Sequence, residues 1–351
     1  LAMEQAVALP VGTRHLADMG AEVIRVQSHV RRAPGLAEID LTRNKRQLAL
    51  DLSQPGATEA FLRVAATAIL GASLGAQSVT PTPNCPSCAE WNAPHAPFKL
   101  FGNTYYVGTT GLSALLVTSP QGHVLVDGAL PESAQQIAAS IRALGFRVED
   151  IRVIVNSHVH FDHAGGIAQL QRWSGAEVVA SAASVPVLRT GDVGRDDPQY
   201  GTIPPIARVA RVRLLPAGDT VQVGPLLLTA MHTGGHTPGG TSWTWTSCEG
   251  GACWAIVYGD SQSALSADDF YYTRTTTYPS GLADFAAGFA ALESVRCDVL
   301  VTPHPGATAL WERLARREAG DASALRDPAA CKRYAATARA GLAKRVADER
   351  A

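Results

Sequence analysis

Between positions 156 and 166 the chain reads NSHVHFDHAGG. His158, His160, Asp162 and His163 fall within six consecutive positions, between an apolar run and two glycines. Imidazoles and a carboxylate at this density are ligands for a divalent cation such as zinc. In an extended segment the side chains at i and i+2 point the same way, so His158 and His160 can grip one ion. Asp162 and His163 lie further along, where the chain curls towards a helix, and can reach a second ion nearby. Gly165 and Gly166 let the backbone pass close to the site. A single histidine would read as a core or solvated imidazole. Four ligand-type residues in the spacing His-x-His-x-Asp-His do not.

Zinc takes three or four ligands, so more must come from elsewhere. His236 stands in MHTGGHTPGGTSW (231–243), bracketed by glycines and a proline, and His304 in VLVTPHPG (299–306), between two prolines. Each follows an apolar strand, as does the first motif, so all three can meet at one sheet edge. His232 lies close to His236 and reads as a neighbour of the site.

The elements that must carry these residues follow one continuous αβ pattern from about residue 79. TTGLSALLVTSPQGHVLVDGA (109–129) reads as two strands joined by the turn Ser119-Pro120-Gln121-Gly122. SAQQIAASIRALGF (133–146) has helical periodicity and a glycine stop. DIRVIVNS (150–157) is the apolar strand that delivers the histidine motif, GIAQLQRWSG (166–175) the following helix and AEVVAS (176–181) another strand. Strands and turns fill 211–233, GACWAIVYGDS (251–261) is a strand, ADFAAGFAALESV (283–295) a helix and CDVLVTPHPG (297–306) a strand ending in a histidine.

Composition excludes some classes. Thirty basic residues nearly cancel thirty-one acidic ones, so no net field argues for nucleic acid or an anionic surface. No apolar run reaches the roughly 18–20 residues of a membrane span. A monomer is the simplest assembly.

The N-terminal part differs in character. TRHLADMGAEVIRVQ (13–27) reads as an amphipathic helix, a glycine stop and a β-rich run; IDLTRNKRQLALDLSQPGATEAFLRV (39–64) reads as a polar turn, a strand and a helix start. The texts LADMGAEVIRV and LTRNKRQLALDLSQPGATEAFL resemble the opening of a family III CoA-transferase. The likeness covers residues 1–62, about a sixth of the chain. No continuation follows, which implies a broken-off piece without transferase activity. RVAATAILGASLGAQS (63–78) has a basic residue, a short apolar run and small residues before Gln77, the pattern of a secretory signal in an internal position or, alternatively, of a buried helix. Cleavage after Ala76 would leave a chain starting near Gln77, and Leu1 in place of Met fits an alternative start upstream.

NSHVHFDHAGG, GGHTPGG, YGDS and TPHPG, in this order, look like the metallo-β-lactamase superfamily over about residues 95–345. The resemblance implies an α/β fold, a four-layer αβ/βα sandwich, spanning 79–351 behind the N-terminal extension. It implies two zinc ions: His158, His160 and His236 on the first, Asp162, His163 and His304 on the second. Glyoxalase II-like thioesterases, lactonases and ribonuclease Z-like proteins share most of these ligands. FGNTYYVGTTGLSALLVTSPQGHVLVDGALPESA (101–134) and LGFRVEDIRVIVNSHVHFDHAGGIAQLQ (144–171) are similar to the third subclass of class B β-lactamases. That likeness implies zinc-dependent hydrolysis of a small-molecule β-lactam without a covalent acyl-enzyme. Asp162 would also orient the attacking hydroxide, and Ser261 and Ser263 would hold the substrate carboxylate. Asp260 is expected beside the ligands and not among them. Trp91 and the loop 189–206 are candidates to wall the cleft.

Six cysteines permit 15 connectivities. Cys248 and Cys253 flank the turn CEGGAC; Cys297 and Cys331 can tie the last strand to a C-terminal helix. Cys85 and Cys88 form CPSC, a local disulfide or, alternatively, a redox or zinc pair. Disulfides agree with secretion and a periplasmic location.

Overall fold

The computed structural model describes residues 85–351 and three short strands nearer the N-terminus: β1 (Ala2–Met3), β2 (Ile24–Ser28) and β3 (Arg46–Leu50). The chain divides into two compact units, Leu1–Val79 and Thr80–Ala351. In the first, β1, β2 and β3 form a parallel sheet in that order, with Met3 opposite Val26 and Val26 opposite Leu48. β2 and β3 coincide with the two β-rich runs expected there. The expected helices of this part and the secretion-type segment 63–78 lie outside the described residues.

The second unit holds two sheets. The seven-stranded sheet runs β10-β9-β8-β7-β6-β5-β4. Its strands are β4 (Phe98–Phe101), β5 (Thr104–Tyr106), β6 (Leu115–Val117), β7 (His123–Val126), β8 (Ile151–Val155), β9 (Glu177–Ala180) and β10 (Val212–Leu214). The five-stranded sheet runs β11 (Thr220–Val223), β12 (Leu226–His232), β13 (Thr241–Glu249), β14 (Ala252–Tyr258) and β15 (Val299–Val301). Its helices are α1 (Cys88–Trp91), α2 (Ala134–Ala143), α3 (Phe161–Ala164), α4 (Ile167–Ser174), α5 (Ser184–Thr190), α6 (Gly281–Ser294), α7 (Leu310–Glu318) and α8 (Ala330–Arg350).

The layering follows from the period-two alternation of strands buried on both faces. Val124 and Val126 of β7 and Val153 and Val155 of β8 face the space between the sheets; Leu125 and Ile154 face α2 and α4. On the other sheet Ile256, Tyr258, Val299 and Val301 point inward, while Val257 and Leu300 meet α6 and α8. Three apolar layers separate four layers of structure, helix, sheet, sheet, helix, as expected. Trp243, 1% exposed, fills the middle layer from β13. Truncating such a residue to alanine costs about 3–5 kcal/mol.

β7, β8 and β9 run parallel, so their carboxyl ends share one edge. β14 and β15 are also parallel, and the β12–β13 turn closes beside their carboxyl ends. At this edge the sheets are stitched together by polar contacts. Thr241 N–H donates to Ser157 O (2.8 Å), Trp243 Nε1–H to Asn156 O (3.0 Å) and Ser113 N–H to Pro303 O (2.8 Å). The Tyr258 hydroxyl donates to Asp127 Oδ2 at 2.9 Å. Among the described residues no helix is long and apolar enough to cross a membrane.

Candidate metal centre

The stitched edge is where the sequence motifs converge. β8 ends at Val155, and Asn156–His160 form the turn into α3, which carries Asp162 and His163. This turn rests on the loop after β7. Asp127, with φ +60°, accepts Ser157 N–H at 2.7 Å and the Ser157 hydroxyl at 2.6 Å. Gly128 N–H donates to His163 O at 2.8 Å. A Cβ on Gly166 would lie 2.2 Å from Gly128 O, so the glycine pair lets α3 approach this neighbouring loop. The non-glycine φ values of +60° at Asp127 and +53° at Ala129 mark a backbone held in place by its surroundings.

His236 arrives from the β12–β13 turn. Ser181 Oγ, in the loop after β9, donates to Gly239 O at 2.7 Å and holds that turn. A Cβ on Gly240 would meet Asp260 Oδ2 at 2.5 Å and Thr233 O at 2.7 Å, so only glycine fits there. His304 follows β15, its ring centroid 5.2 Å from that of Trp91.

Six side chains meet. His158, His160 and His236 offer ring nitrogens within 4.8 Å of one another, and so do the ligand atoms of His158, Asp162 and His163. The Asp162 carboxylate lies 3.1 Å from His163 Nε2 and 3.2 Å from His304 Nε2. The rings of His163 and His304 are 4.9 Å apart. His158 therefore stands between two groups. The six residues are those anticipated, with His158 also bordering the Asp162–His163 pair.

The outer nitrogens of the first triad are committed. His158 Nδ1 donates to Asp260 Oδ1 at 2.7 Å, and His236 Nδ1 to Ser263 O at 2.8 Å. His160 Nε2 contacts both oxygens of Asp197, at 3.2 and 3.0 Å. Each contact assigns the tautomer and leaves the opposite ring nitrogen as an acceptor. His158 Nε2 and His163 Nδ1 are buried without a partner. A buried polar atom left unpaired is costly and calls for an explanation; His158 Nε2, grouped with the ring nitrogens of His160 and His236, fits a cation, whereas His163 turns Nε2 to Asp162 and its Nδ1 away.

Electrostatics agree. Burial, reinforced by the neighbouring histidines, holds the His158 imidazole well below its ordinary range. Burial and nearby His160 bring His236 down to about 3. Both rings stay neutral, the form that binds metal. Burial alone would raise the Asp162 carboxyl, but His163 and His304 hold it well below the usual carboxylate range. Burial pushes the Asp260 carboxyl well up.

Other expected residues fall around this cluster. Ser261, Ser263 and His304 line a groove of about 1050 Å³ beside α7 and α8. Ser263 also serves through its backbone carbonyl on His236, which its residue type does not signal. Tyr334 of α8 anchors the same segment: its hydroxyl donates to Asp260 O at 2.9 Å and accepts Gln262 N–H at 3.1 Å. His232 sits outside the cluster, 3.9 Å from Asp284. The cysteines pair as Cys85–Cys88, Cys248–Cys253 and Cys297–Cys331, leaving none free. CPSC is therefore a local disulfide here.

Comparison with known proteins agrees with the geometry. The family model of the metallo-β-lactamase superfamily matches residues 107–249, and that of CoA-transferase family III matches residues 1–69. The chain is similar to the solved structure of the Rm3 metallo-β-lactamase, 53% identical with a TM-score of 0.75, over 77% of this chain and 100% of that one. It is also similar to MEM-A1, a subclass B3 metallo-β-lactamase from a soil metagenome library, at 50% identity and TM-score 0.73, over 74% of this chain and 98% of that one. A probable metallo-hydrolase of Burkholderia pseudomallei (strain 1710b) is 34% identical over 175 residues, 46% of this chain and 52% of its own length. The chain thus spans about half the length of that curated relative. The chain belongs to the metallo-β-lactamase superfamily, and its solved neighbours place it with the subclass B3 hydrolases.

Proposed function

We propose that the chain hydrolyses the amide bond of β-lactam antibiotics with two zinc ions, and so confers resistance to them. The observation that carries this reading is the sixfold cluster itself. Five of its residues are buried, and His158 Nε2 has no protein partner. It sits in a chain similar over its neighbour's whole length to a metallo-β-lactamase. His158, His160 and His236 would hold one zinc; Asp162, His163 and His304 would hold the other. Bound zinc supplies Lewis acidity and brings the pKa of a coordinated water near neutrality.

The chain's own groups do the rest. Asp162, kept ionised by its two histidines, orients the attacking water through a carboxylate oxygen. The oxygen adds to the lactam carbonyl carbon, the C–N bond breaks, and the nitrogen takes up a proton. Ser261 and Ser263 donate hydroxyl hydrogen bonds to the carboxylate beside the ring. Trp91, against His304, walls one side of the cleft. Three disulfides support an oxidising compartment, which fits export to the periplasm through residues 63–78. The enzyme acts as a monomer.

The test is to follow carbapenem and cephalosporin absorbance with the purified full chain, with and without EDTA. Hydrolysis abolished by EDTA and restored by zinc is expected. Two bound zincs with no lactam turnover would overturn the substrate and point to a thioester or lactone.

A further inference from the structure

We infer that Asp197 is a positioning residue of the metal centre, and that the loop Gly191–Ile206 is thereby part of the site's metal-binding apparatus. The inference rests on the zinc reading above. The other two outer contacts of the first triad come from around β14: Asp260 follows the strand and Ser263 the next turn. Asp197 comes from a loop between α5 and β10, closed by Ile206 N–H on Gly191 O at 2.8 Å.

Asp197 is only 3% exposed, and its carboxylate pairs with the His160 ring alone among the charged side chains described. Its one other bond is from Gln199 N–H to Oδ1, at 2.8 Å. A carboxylate this buried needs hydrogen-bond donors or a charge partner. No lysine or arginine of the described residues supplies it; a metal beyond the imidazole would. The contact also selects geometry. His158 and His236 commit Nδ1 outward, while His160 commits Nε2, so it turns Nδ1 to the centre. Without Asp197 the ring could take the other tautomer or rotate, and its donor nitrogen would leave the triad. The loop is itself fastened to the segment after Ser263, because Ala267 N–H donates to Pro198 O at 2.8 Å. One loop therefore both borders the site and sets the aim of a ligand.

The experiment is a zinc competition titration against a chromophoric chelator on the full chain and on Asp197→Ala and Asp197→Asn. The unfolding midpoint of each metal-free protein is read alongside. Asp197→Ala is expected to weaken one of the two zinc steps by about 10–100-fold, the usual effect of losing a ligand's outer partner, and to leave the other nearly unchanged. Asp197→Asn keeps the shape and one acceptor oxygen; it is expected to weaken the same step by less, and covers the case in which the alanine variant does not fold. Two zinc steps like the parent's in both variants, with only the unfolding midpoint lowered, would make Asp197 a loop brace and overturn the inference. A parent chain with no zinc steps would instead overturn the zinc reading.

Discussion

Strand β15 joins two polar regions that are built on opposite rules. At its start, Asp298 is fully satisfied: Oδ2 accepts Ala255 N–H at 2.9 Å, and Oδ1 accepts Arg326 Nε and Nη2 at 3.1 and 3.0 Å. The neighbouring Cys297 is bonded to Cys331. At its far end, around His304, buried atoms are left over: His158 Nε2, His163 Nδ1 and Asp260 Oδ2. The same sheet thus closes every hydrogen bond at one edge and leaves several open at the other. The first edge is complete as protein. The second leaves His158 Nε2 grouped with two other imidazole nitrogens and no protein partner, as a cation site would. This predicts a separation in metal binding: damage at the Asp298 edge should lower stability and spare metal binding, and damage at the His304 edge should remove metal.

The largest effect is expected at the His304 edge. His158→Ala should lose zinc and lower kcat/KM by about 10³-fold, the several kcal/mol that a lost metal withdraws from the transition state. His158 adjoins both groups, so zinc content measured by metal analysis should fall for both ions. The metal-free variant should also unfold earlier than the metal-free parent, because it strips buried Asp260 Oδ1 of its donor, so zinc content and not stability is the reading that separates the edges. Full activity without metal would break the comparison.

The sequence exposes these two edges unequally. The six clustered residues were legible because four of them lie within six positions and the other two stand where apolar strands end in Gly- or Pro-rich turns. The αβ order was legible because apolar strand runs alternate with helices carrying glycine stops, while the four-layer sandwich came from the family resemblance. What was hidden is the support. Asp197 meets His160 across 37 positions and Asp260 meets His158 across 102, and no local spacing announces either. The loop of Asp197 reads only as a polar wall. Ser263 holds His236 through a backbone carbonyl, which every residue has, with its hydroxyl 3.2 Å from the same nitrogen. Strand β13 was also veiled: Trp243 and Trp245 alternate with Thr and Ser directly after a glycine-rich turn, and their burial comes from the opposite sheet.

At the Asp298 edge, the Cys297–Cys331 disulfide closes a loop across 34 positions. Its replacement, Cys297→Ser with Cys331→Ser, should lower unfolding stability by about 2–4 kcal/mol, read as a shift in the urea midpoint at constant slope. Zinc stoichiometry should remain two. Loss of zinc in proportion to stability would mean that α8, through Tyr334, couples the edges after all. A shift of the same order should follow from metal removal alone. Zinc held at one hundred times its dissociation constant stabilises by about 2.7 kcal/mol per site, so EDTA should lower the midpoint of the parent and leave that of His158→Ala unmoved.

The smallest predicted change is the sharpest on origin. Asp298→Asn removes the charge while keeping the shape, and Arg326 is 47% exposed, so solvent screens much of the pair. The loss should be about 1–2 kcal/mol at neutral pH, with zinc content and kcat unaltered. Burial tends to raise the Asp298 carboxyl, but the Ala255 N–H and Arg326 hold it below the ordinary value. A carboxyl lowered on folding stabilises above its unfolded pKa, near 3.9, and that contribution disappears as pH falls through the folded value. The difference between parent and Asp298→Asn should therefore be constant from pH 8 to about 5 and shrink below about pH 4. A difference that instead vanished between pH 7 and 6 would trace to histidines and place the effect at the other end of β15.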